Sequence, residues 1–522
     1  MTKDSLSNLN AAQRKAVEHN GGHLLIVAGP GTGKTHTLTQ RILRTRQNAD
    51  ASDILAITFT NKAANELRQR LFAQSENLDN VFVGTFHSFC LKLLREFIEH
   101  TNLSRDFRIA SPEDVAALAK NLWPEKTQRQ RNDCLERISR LKSQTQNKED
   151  FPEFISFNEL LRRQSLIDFD DILQETYQLL KTNEAITKQL RREYRSIFVD
   201  EYQDINALQH GLLKILVDED VELTAIGDPN QAIYGFRGSD VGFFESFTRD
   251  FMPALKLELS ENYRSTQNLL TASSQVIEKG NSFSVPEITA KIYSQGRLTI
   301  HQAHSEKAEA EYVVHQVEKM VGGTSLFSKD SGRVTDFTMT PRSFGDVAIL
   351  YRLNAQKHEL KKAFERSGIP YQVAGEEKNR NNPDENLSQE QRDERALNQY
   401  EEAVAYNAEK VSLMTLHASK GLEFAVVFIV GCEETILPLA LEEMKGDPEE
   451  ERRLFYVGMT RAKESLYLLH ARKRQLFGKT RENQASPFLF DIEEKLKDYE
   501  FAEAKKHNTN PAHEKQFDLF SL

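Results

Sequence analysis

The chain has 522 residues, of which 39% are apolar and 28% charged, and its formal net charge is −10. This length suits three or four domains, and the composition is typical of soluble globular domains with buried cores. The net charge excludes nucleic-acid binding driven by overall charge, but a local basic track is what a phosphate backbone requires. Two locally basic stretches occur, at 125–148 and 188–195.

The N-terminal stretch MTKDSLSNLNAAQRKAV is polar and lacks the apolar core of a signal peptide. No apolar run approaches the length that a membrane-spanning helix needs. Cys90, Cys134 and Cys432 lie far apart and form no C-x-x-C pair, which argues against a zinc site or a disulfide framework and fits a reducing compartment. We therefore expect a cytoplasmic protein without a membrane segment.

Short apolar runs rich in β-forming residues alternate with amphipathic helical stretches along most of the chain. The runs are HLLIVAG (23–29), ILAITFT (54–60), RSIFVDE (195–201), VELTAIGD (221–228), DVAILYR (346–352) and AVVFIVG (425–431). This alternation predicts an α/β fold with parallel sheets covered by helices. Residues 91–168 are helix-rich and charged, and they predict a helical insertion into the first α/β unit.

The segment AGPGTGKT follows the first apolar run and precedes a helical stretch, which is the context of a phosphate-binding loop. Its glycines let the backbone turn its N–H groups toward a phosphate. Lys34 supplies a cation for the β- and γ-phosphates, and Thr35 offers a hydroxyl to Mg²⁺. Ala28 stands where the strictest pattern has glycine, and a small residue suffices there. The predicted nucleotide-binding residues of this segment are Ala28, Gly29, Pro30, Gly31, Thr32, Gly33, Lys34 and Thr35.

The segment IFVDEYQD ends an apolar strand with two adjacent carboxylates, Asp200 and Glu201. Two acids at a strand end repel each other and usually need a metal ion or a proton. Asp200 can hold Mg²⁺, directly or through water, and Glu201 can then orient and deprotonate the attacking water. Together with the glycine-rich loop, this pair predicts nucleotide hydrolysis.

Further segments occur in the following order along the chain: DEYQD, GDPNQAIYGFRGSD (227–240), ENYRS (261–265), TLHASKGLEF (415–424) and YVGMTRAKESLYL (456–468). They resemble the motif series of UvrD/Rep-type superfamily 1 DNA helicases, and NLNAAQRKAV (8–17) resembles the adenine-recognition segment of that family. The resemblance covers residues 5 to about 490, except most of the helical insertion and a polar run. It implies two RecA-like domains with ATP held between them.

The resemblance also implies domain boundaries. The expected units are a first RecA-like domain (1–90 and 169–262), a helical accessory insertion (91–168), a second RecA-like domain (263–375 and 404–498), a polar linker (376–403) and a flexible tail (499–522). The family carries a large helical subdomain where the polar linker lies. Because this run has few apolar residues, it cannot form its own core. We expect a linker or a small helical lid, and 385–403 could form one charged helix.

Roles in nucleotide binding follow from the same resemblance. Gln13 would read the adenine edge and Tyr263 would stack on the base, while Glu423 would contact the ribose. Gln231 would sense the γ-phosphate, and Arg264 and Arg461 would stabilise its charge in the transition state. Because Arg461 comes from the second domain, hydrolysis should require a closed cleft. His36 stands where many relatives carry an arginine near the base.

Translocation along a single strand needs cations and flat side chains on which bases stack. The resemblance implies a DNA track made of Phe59, Asn61, His87, Tyr234, Phe236, Arg237, Arg352, Asn354 and His417. Phe236 replaces the tryptophan of many relatives. The stretch 469–488 could form a hairpin turning at Gly478–Lys479, with Phe477 as the apolar tip of a pin at the duplex junction.

The chain ends in KQFDLFSL, which resembles the short peptide by which bacterial replication and repair proteins bind the sliding clamp. Gln516 would bind the pocket rim, and Leu519 and Phe520 would fill an apolar pocket. The sequence thus predicts an ATP- and Mg²⁺-dependent DNA helicase or translocase of repair or replication. By family resemblance it would move 3′ to 5′ on single-stranded DNA and open tailed or forked duplexes. The alternative is a clamp-recruited, DNA-dependent ATPase that displaces proteins, or acts as a switch, without processive unwinding.

Overall fold

A computed structural model describes residues 8–48, 53–75, 78–144, 151–280, 287–292, 294–321, 342–375, 388–400, 409–442 and 444–501. Two large sheets, each flanked by helices, organise these residues. The α/β fold predicted from the alternating pattern is therefore confirmed. We call the unit around the six-stranded sheet the first domain and the unit around the eight-stranded sheet the second domain. Within the described ranges, no helix is both long enough and apolar enough to cross a bilayer.

The sheet of the first domain is entirely parallel. In spatial order its strands are Val81–Thr85, Asp53–Thr58, Tyr194–Val199, Glu222–Gly227, His23–Ala28 and Ala254–Leu259. Every residue of His23–Ala28 is buried, as expected for a central parallel strand covered on both faces. The carboxyl ends of neighbouring strands therefore bring the glycine-rich loop, Asp200 and Asp228 to one edge.

Helices cover both faces of this sheet and also form the insertion. Those that flank the sheet are Ala11–Glu18, Lys34–Asn48, Asn61–Phe72, Phe86–Glu96, Phe169–Thr182, Glu184–Glu193, Ala207–Leu216 and Gly242–Asp250. The insertion contains the helices Pro112–Leu122, Gln128–Lys142 and Pro152–Arg163 and the paired short strands Arg108–Ile109 and Leu166–Ile167. It has its own apolar cluster around Trp123 and Phe157. The helix Phe86–Glu96 runs across the expected lower boundary at residue 91.

The sheet of the second domain is parallel except for one hairpin strand. In spatial order its strands are Tyr371–Val373, Val411–Thr415, Val347–Tyr351, Phe424–Ile429, Ala462–Leu476, Arg297–Ser305 and Asp498–Phe501, and Lys479–Glu482 pairs antiparallel with Ala462–Leu476. The helices on this sheet are Gln267–Glu278, Glu306–Met320, Lys357–Ser367 and Pro448–Met459. The last strand extends the sheet to residue 501, into the expected tail. Gln516, Leu519 and Phe520 lie outside the described residues.

The predicted hairpin is present, but its turn lies one residue earlier than expected. Phe477 and Gly478 form the turn with φ of 52° and 76°, and this pair of positive φ angles matches the twist of the flanking strands. The Phe477 side chain is 62% exposed. At the base of the hairpin, the buried guanidinium of Arg474 pairs with the buried carboxylates of Glu433 and Glu309, both at 2.6 Å.

Part of the polar run also forms a helix, Gln389–Asn398, capped by Ser388. Residues 376–387 and 401–408, on either side of it, lie outside the described residues. The helix follows the second-domain strand Tyr371–Val373 in sequence, yet its buried Leu397 joins an apolar cluster of the first domain. The helix is thus shorter than the predicted range 385–403. It packs against the first domain, although the strand that precedes it in sequence belongs to the second domain.

Candidate nucleotide site and nucleic-acid interface

The glycine-rich loop connects His23–Ala28 to the helix Lys34–Asn48 and favours glycine at two positions. Gly31 and Gly33 have φ of 66° and 82°, a region that side-chain-bearing residues rarely adopt. A Cβ at Gly31 would lie 2.6 Å from the Asn262 amide nitrogen, and one at Gly33 would lie 2.7 Å from Gln13 Nε2. The positive φ angles therefore favour glycine at both positions, and packing against Asn262 adds to this preference at Gly31.

The segments that would bind the base hold this loop in place. Gln13 Nε2 donates to the carbonyl of Thr32 at 3.0 Å. The backbone N–H of Tyr263 donates to the carbonyl of Gly31 at 2.8 Å. The Tyr263 hydroxyl donates to Glu261 at 2.6 Å, while 48% of the residue remains exposed. Gln13 and Tyr263 therefore lie beside the loop, as expected for residues that would contact an adenine.

Lys34 and His36 lie in the first turn of the helix that follows the loop. The Lys34 ammonium donates to the carbonyls of Ala28 and Gly29 at 3.0 and 3.3 Å. Burial lowers the pKa of Lys34, and the Glu201 and Asp228 carboxylates oppose that shift. Burial also lowers the pKa of His36, with a contribution from Arg70. With a pKa below its ordinary value of 6.5, His36 is neutral at pH 7.

Asp200 and Glu201 follow the strand Tyr194–Val199, and their carboxyl groups differ in protonation. Burial and the neighbouring charge of Glu201 raise the pKa of Asp200 to about 7. Burial also acts to raise the pKa of Glu201, but Lys420 and Lys34 together hold it below its ordinary value. Glu201 is therefore ionised near pH 7, as a base must be, and Asp200 is a carboxyl that a nearby cation would help to ionise.

A magnesium ion fits this edge of the sheet. Thr35 is the second residue of the helix after the loop, and Asp200 is the carboxyl whose raised pKa a cation would relieve. In the described part of the chain, no three His, Cys, Asp or Glu side chains are grouped as metal ligands. An ion held by Thr35 and Asp200 would thus depend on phosphate oxygens and water for its other ligands, as Mg²⁺ does in nucleotide sites.

A continuous run of hydrogen bonds joins the carboxylate pair to the second domain. Gln203 donates to Glu201 and accepts from the backbone N–H of Asp228 at 3.0 Å. Gln231 Nε2 donates to Asp228 Oδ2 at 2.8 Å, and Gln231 Oε1 accepts from Arg461 Nη2 at 3.1 Å. The predicted phosphate sensor and the predicted second-domain arginine are therefore in direct contact.

Arg461 is buried, with 2% exposure, and its guanidinium is held by backbone carbonyls. It donates to Val457 at 2.9 Å and to Leu422 at 3.1 Å. Burial, with the nearby charge of Arg264, lowers the pKa of Arg461 to about 9, so it stays charged at pH 7. Arg264 pairs with Glu423 at 2.6 Å. The predicted Arg264, Arg461 and Glu423 thus converge on the interface between the domains.

Lys420 also crosses the interface, although the sequence analysis did not single it out. Its buried ammonium pairs with Asp204 and donates to the carbonyl of Gln231 at 2.7 Å. Burial raises the pKa of Asp204 to about 7, against the opposing charge of Lys420. Asp204 lies in the motif DEYQD and Lys420 in the motif TLHASKGLEF. Their position within these motifs is the signal by which sequence reasoning could have found them. Spacing alone does not reveal that they meet.

Several predicted DNA-track residues form one aromatic cluster. Phe59 and Tyr234 stack with ring centroids 4.8 Å apart. His417, from the second domain, meets the edge of Phe236 at 5.5 Å, and the Arg237 guanidinium lies 5.6 Å from the Phe236 ring. The Phe236 side chain is 62% exposed. Burial lowers the pKa of His417 to about 3, so this imidazole is neutral and offers a flat uncharged face.

The remaining predicted track residues make other contacts. Arg352 pairs with the buried Glu451 at 2.7 Å, and it lies close enough to His417 to contribute to that histidine's low pKa. Asn354 is exposed in the turn after Arg352. Asn61 bonds to Asn398 of the docked helix. His87 stacks on Phe169 at 3.7 Å.

The segment between Gln231 and the aromatic cluster packs against the second domain. Ile233 has 0% exposure and belongs to the apolar cluster of the second domain. The Arg453 guanidinium, on the helix Pro448–Met459, donates to the carbonyl of Ala232 at 2.8 Å. A first-domain segment that begins at the nucleotide site and ends in the aromatic cluster is thus anchored in the other domain.

Comparison with known proteins assigns the family. Residues 9–252 match the model of the UvrD/REP helicase N-terminal domain. Residues 257–379 and 377–473 match the model of the UvrD-like helicase C-terminal domain. The ATP-dependent DNA helicase PcrA of Staphylococcus epidermidis is 29% identical, with 94% of this chain and 87% of that protein aligned. PcrA of Bacillus subtilis is 27% identical, with 94% and 86% aligned.

These alignments also reveal a difference in length. The alignment with the Staphylococcus epidermidis protein runs over 656 residues, although this chain has only 522. The relative therefore carries residues that have no counterpart here. Since the two family models together cover most of the chain, from residue 9 to residue 473, the chain belongs to the UvrD/Rep helicase family.

Proposed function

We propose that this protein is an ATP-dependent helicase or translocase that moves on single-stranded DNA. The observation that carries the proposal is the contact between Gln231 and Arg461, which joins the two domains at the phosphate end of the nucleotide site. Three residues after Gln231, the same segment provides Tyr234 of the aromatic cluster. One short segment therefore connects a site for ATP with a surface on which bases can stack.

In the proposed reaction, the loop N–H groups and Lys34 hold the β- and γ-phosphates of ATP. Magnesium, held by Thr35 and Asp200, would neutralise phosphate charge. Glu201 is ionised and accepts the proton of the attacking water. Arg461 and Arg264 bring positive charge to the γ-phosphate, where charge grows in the transition state. Gln13 and Tyr263 bind the adenine, and Glu423, released from Arg264, contacts the ribose.

The coupling to movement rests on the anchored segment. Loss of the γ-phosphate would weaken the attraction of Arg461 to the first domain, so the two domains could shift relative to each other. Because Ile233 is buried in the second domain, such a shift moves Tyr234 and Phe236 relative to Phe59. Bases stacked on these rings would be released and recaptured one step along. The proposed direction, 3′ to 5′, follows the family resemblance.

The decisive test is ATP hydrolysis with and without single-stranded DNA and RNA, with Lys34→Ala as the inactive control. The proposal expects strong stimulation by DNA in the wild type and none in the variant. Hydrolysis that is indifferent to DNA would contradict it. Single-turnover unwinding of a tailed duplex then separates the two modes. Strand separation supports a helicase, whereas stimulated hydrolysis without it supports a translocase that displaces proteins.

The C-terminal peptide supports a proposed role in repair or replication. Gln516, Leu519 and Phe520 have the spacing by which short peptides bind an apolar pocket with a polar rim. We expect the full-length protein to bind a bacterial sliding clamp, and the double variant Leu519→Ala, Phe520→Ala to lose that binding. Unchanged binding of the double variant would reject the peptide as the docking element.

A further inference from the structure

The helix Gln389–Asn398 meets the first domain through polar contacts with residues that lie apart in sequence. Asp393 forms a bidentate ion pair with Arg95, with Nε–Oδ2 and Nη2–Oδ1 distances of 3.0 and 2.9 Å. The Asn61 amide nitrogen donates to the Asn398 side-chain oxygen at 2.7 Å. The helix therefore binds directly to Asn61, one of the predicted DNA-track residues.

Tyr400, two residues after the helix, extends an aromatic stack of the first domain. Its ring lies 4.6 Å from that of Phe169, at an angle of 21°. Phe169 stacks in turn on His87 at 3.7 Å and 21°. The Tyr400 hydroxyl donates to the carbonyl of Ala110 in the insertion. His87, a second predicted DNA-track residue, thus belongs to a stack of three rings that continues through Phe169 and ends at Tyr400.

These contacts reproduce the chemistry of a nucleic-acid strand. A carboxylate that accepts two parallel bonds from a guanidinium stands where a phosphate would bind. A flat ring stacked on the half-buried Phe169 and His87 stands where a base would bind. Arg95 is itself held 3.6 Å above the Phe107 ring, so its charge is fixed in place without the helix. Asp393 and Tyr400 therefore fill a phosphate site and a base site on the first domain.

We propose that Arg95, Asn61 and the Phe169–His87 pair form a binding surface for single-stranded DNA, and that the helix Gln389–Asn398 with Tyr400 covers it until DNA displaces it. This inference rests on the proposed function and adds Arg95 and Phe169 to the DNA path. The helix then acts as a competitor built into the chain.

The covering helix is held weakly enough to be displaced. It has ten residues, and helices of that length are marginal without tertiary contacts. Leu397 is its single buried large apolar side chain, and the Arg95–Asp393 pair is partly exposed. The closed arrangement also leaves the buried Nε2 of His87 without a hydrogen-bond partner among the described residues, which is a cost that opening would relieve.

The test compares variants on the two sides of this contact in the full-length protein. Asp393→Ala and Tyr400→Ala should each bind an oligo-deoxythymidylate three- to tenfold more tightly, because the surface is uncovered more often. Glu394→Ala is the matched control: it removes the same charge from an exposed position on the same helix and should change the affinity less than twofold. Arg95→Ala should bind DNA more weakly, since it removes the phosphate site itself.

The opposite signs of the Arg95 and Asp393 effects separate competition from a structural role. If the pair merely supported the fold, both variants would weaken DNA binding, and the proposal would be overturned. Equal affinities of wild type, Asp393→Ala and Tyr400→Ala would also overturn it. Both outcomes leave the proposed function intact as long as the wild type shows DNA-stimulated hydrolysis, whereas absence of that stimulation would remove the proposed function itself.

A covalent lock provides a second readout. In a Cys134→Ser background, Asn61→Cys and Asn398→Cys place two thiols where the side chains already touch. Oxidation should close the helix onto the surface and reduce DNA affinity at least tenfold, and a reductant should restore it. The reduced form of the same protein is the control. If the oxidised protein binds DNA as tightly as the reduced one, the helix is a permanent strap and the covered surface is not part of the path.

Discussion

The Arg461 guanidinium lies 3.1 Å from the side-chain oxygen of Gln231, across the interface between the two domains. Since Gln231 is also bound to Asp228, this contact connects the second domain to the candidate nucleotide site. We expect Arg461→Ala to lower kcat for ATP about 10²–10³-fold, because it removes positive charge needed in the transition state. Steady-state hydrolysis at saturating DNA measures this.

The exposed Arg249 supplies the matched control for that substitution. Arg249→Ala should leave kcat within twofold of the wild type. Arg461→Lys should recover only part of the activity, because an ammonium cannot reproduce the fork of bonds that the guanidinium makes to Val457, Leu422 and Gln231. Equal kcat values for Arg461→Ala and the wild type would contradict the assigned role.

Asp200 links activity to stability through its pKa. Its pKa is raised to about 7 from an ordinary value of 3.8, so ionisation opposes folding as the pH rises through that interval. Without nucleotide and Mg²⁺, Asp200→Asn should therefore be more stable than the wild type. The gain should be about 2–3 kcal/mol larger at pH 8 than at pH 5, at about 1.4 kcal/mol per pKa unit. Denaturant unfolding at both pH values measures it.

The same variant should lose magnesium-dependent hydrolysis, since a neutral amide oxygen is a weaker ligand for Mg²⁺ than a carboxylate. A stabilised but inactive protein is the expected combination, because active sites hold groups that the fold alone would not favour. A gain in stability that is the same at pH 5 and pH 8 would show that the Asp200 carboxyl is not the group responsible.

The local arrangement of the candidate nucleotide site could be predicted from the sequence because each motif stays together in space. A loop between a strand and a helix places Lys34 and Thr35 next to one another whatever the rest of the chain does. Contacts between motifs could not be predicted in this way. Lys420 and Asp204 are 216 residues apart, and only the packing of the two domains shows that they form a buried pair.

Phe236 is the most exposed ring of the aromatic cluster, which makes it the best probe of the DNA path. We expect Phe236→Ala to raise the Kd for single-stranded DNA about tenfold, the loss of one stacked base. Fluorescence anisotropy with a labelled oligonucleotide measures this. Phe490→Ala, at a ring that is 70% exposed elsewhere in the second domain, is the control. Equal losses in the two variants would count against the cluster as a specific platform.

The hairpin of the second domain depends on a buried charge network. Replacing Arg474 with leucine would leave the buried carboxylates of Glu309 and Glu433 without their cation. We expect Arg474→Leu to destabilise the protein by about 3–5 kcal/mol. Arg472→Leu, two residues earlier on the same strand at an exposed position, should cost less than about 0.5 kcal/mol. Similar free energies of unfolding for the two variants would contradict the network's role.

The position of the helix Gln389–Asn398 on the first domain could not be predicted from the sequence. Its charged composition was enough to predict a helix within the polar run, but no periodic pattern indicated what it would touch. One leucine, one carboxylate, one asparagine and one tyrosine make the contact with the first domain described above. Arg95 and Phe169 carried no motif signal at all. A contact made by so few side chains leaves too weak a pattern to be recognised before the structure is known.

We propose that closure of the two domains around ATP moves the protein along a single strand. Stopped-flow detection of arrival at the 5′ end of labelled oligo-deoxythymidylates of increasing length tests this. With ATP, the time to reach the 5′ label should increase in proportion to oligonucleotide length, and Arg461→Ala should slow this movement as much as it slows hydrolysis. DNA-stimulated hydrolysis with an arrival time independent of length would contradict it.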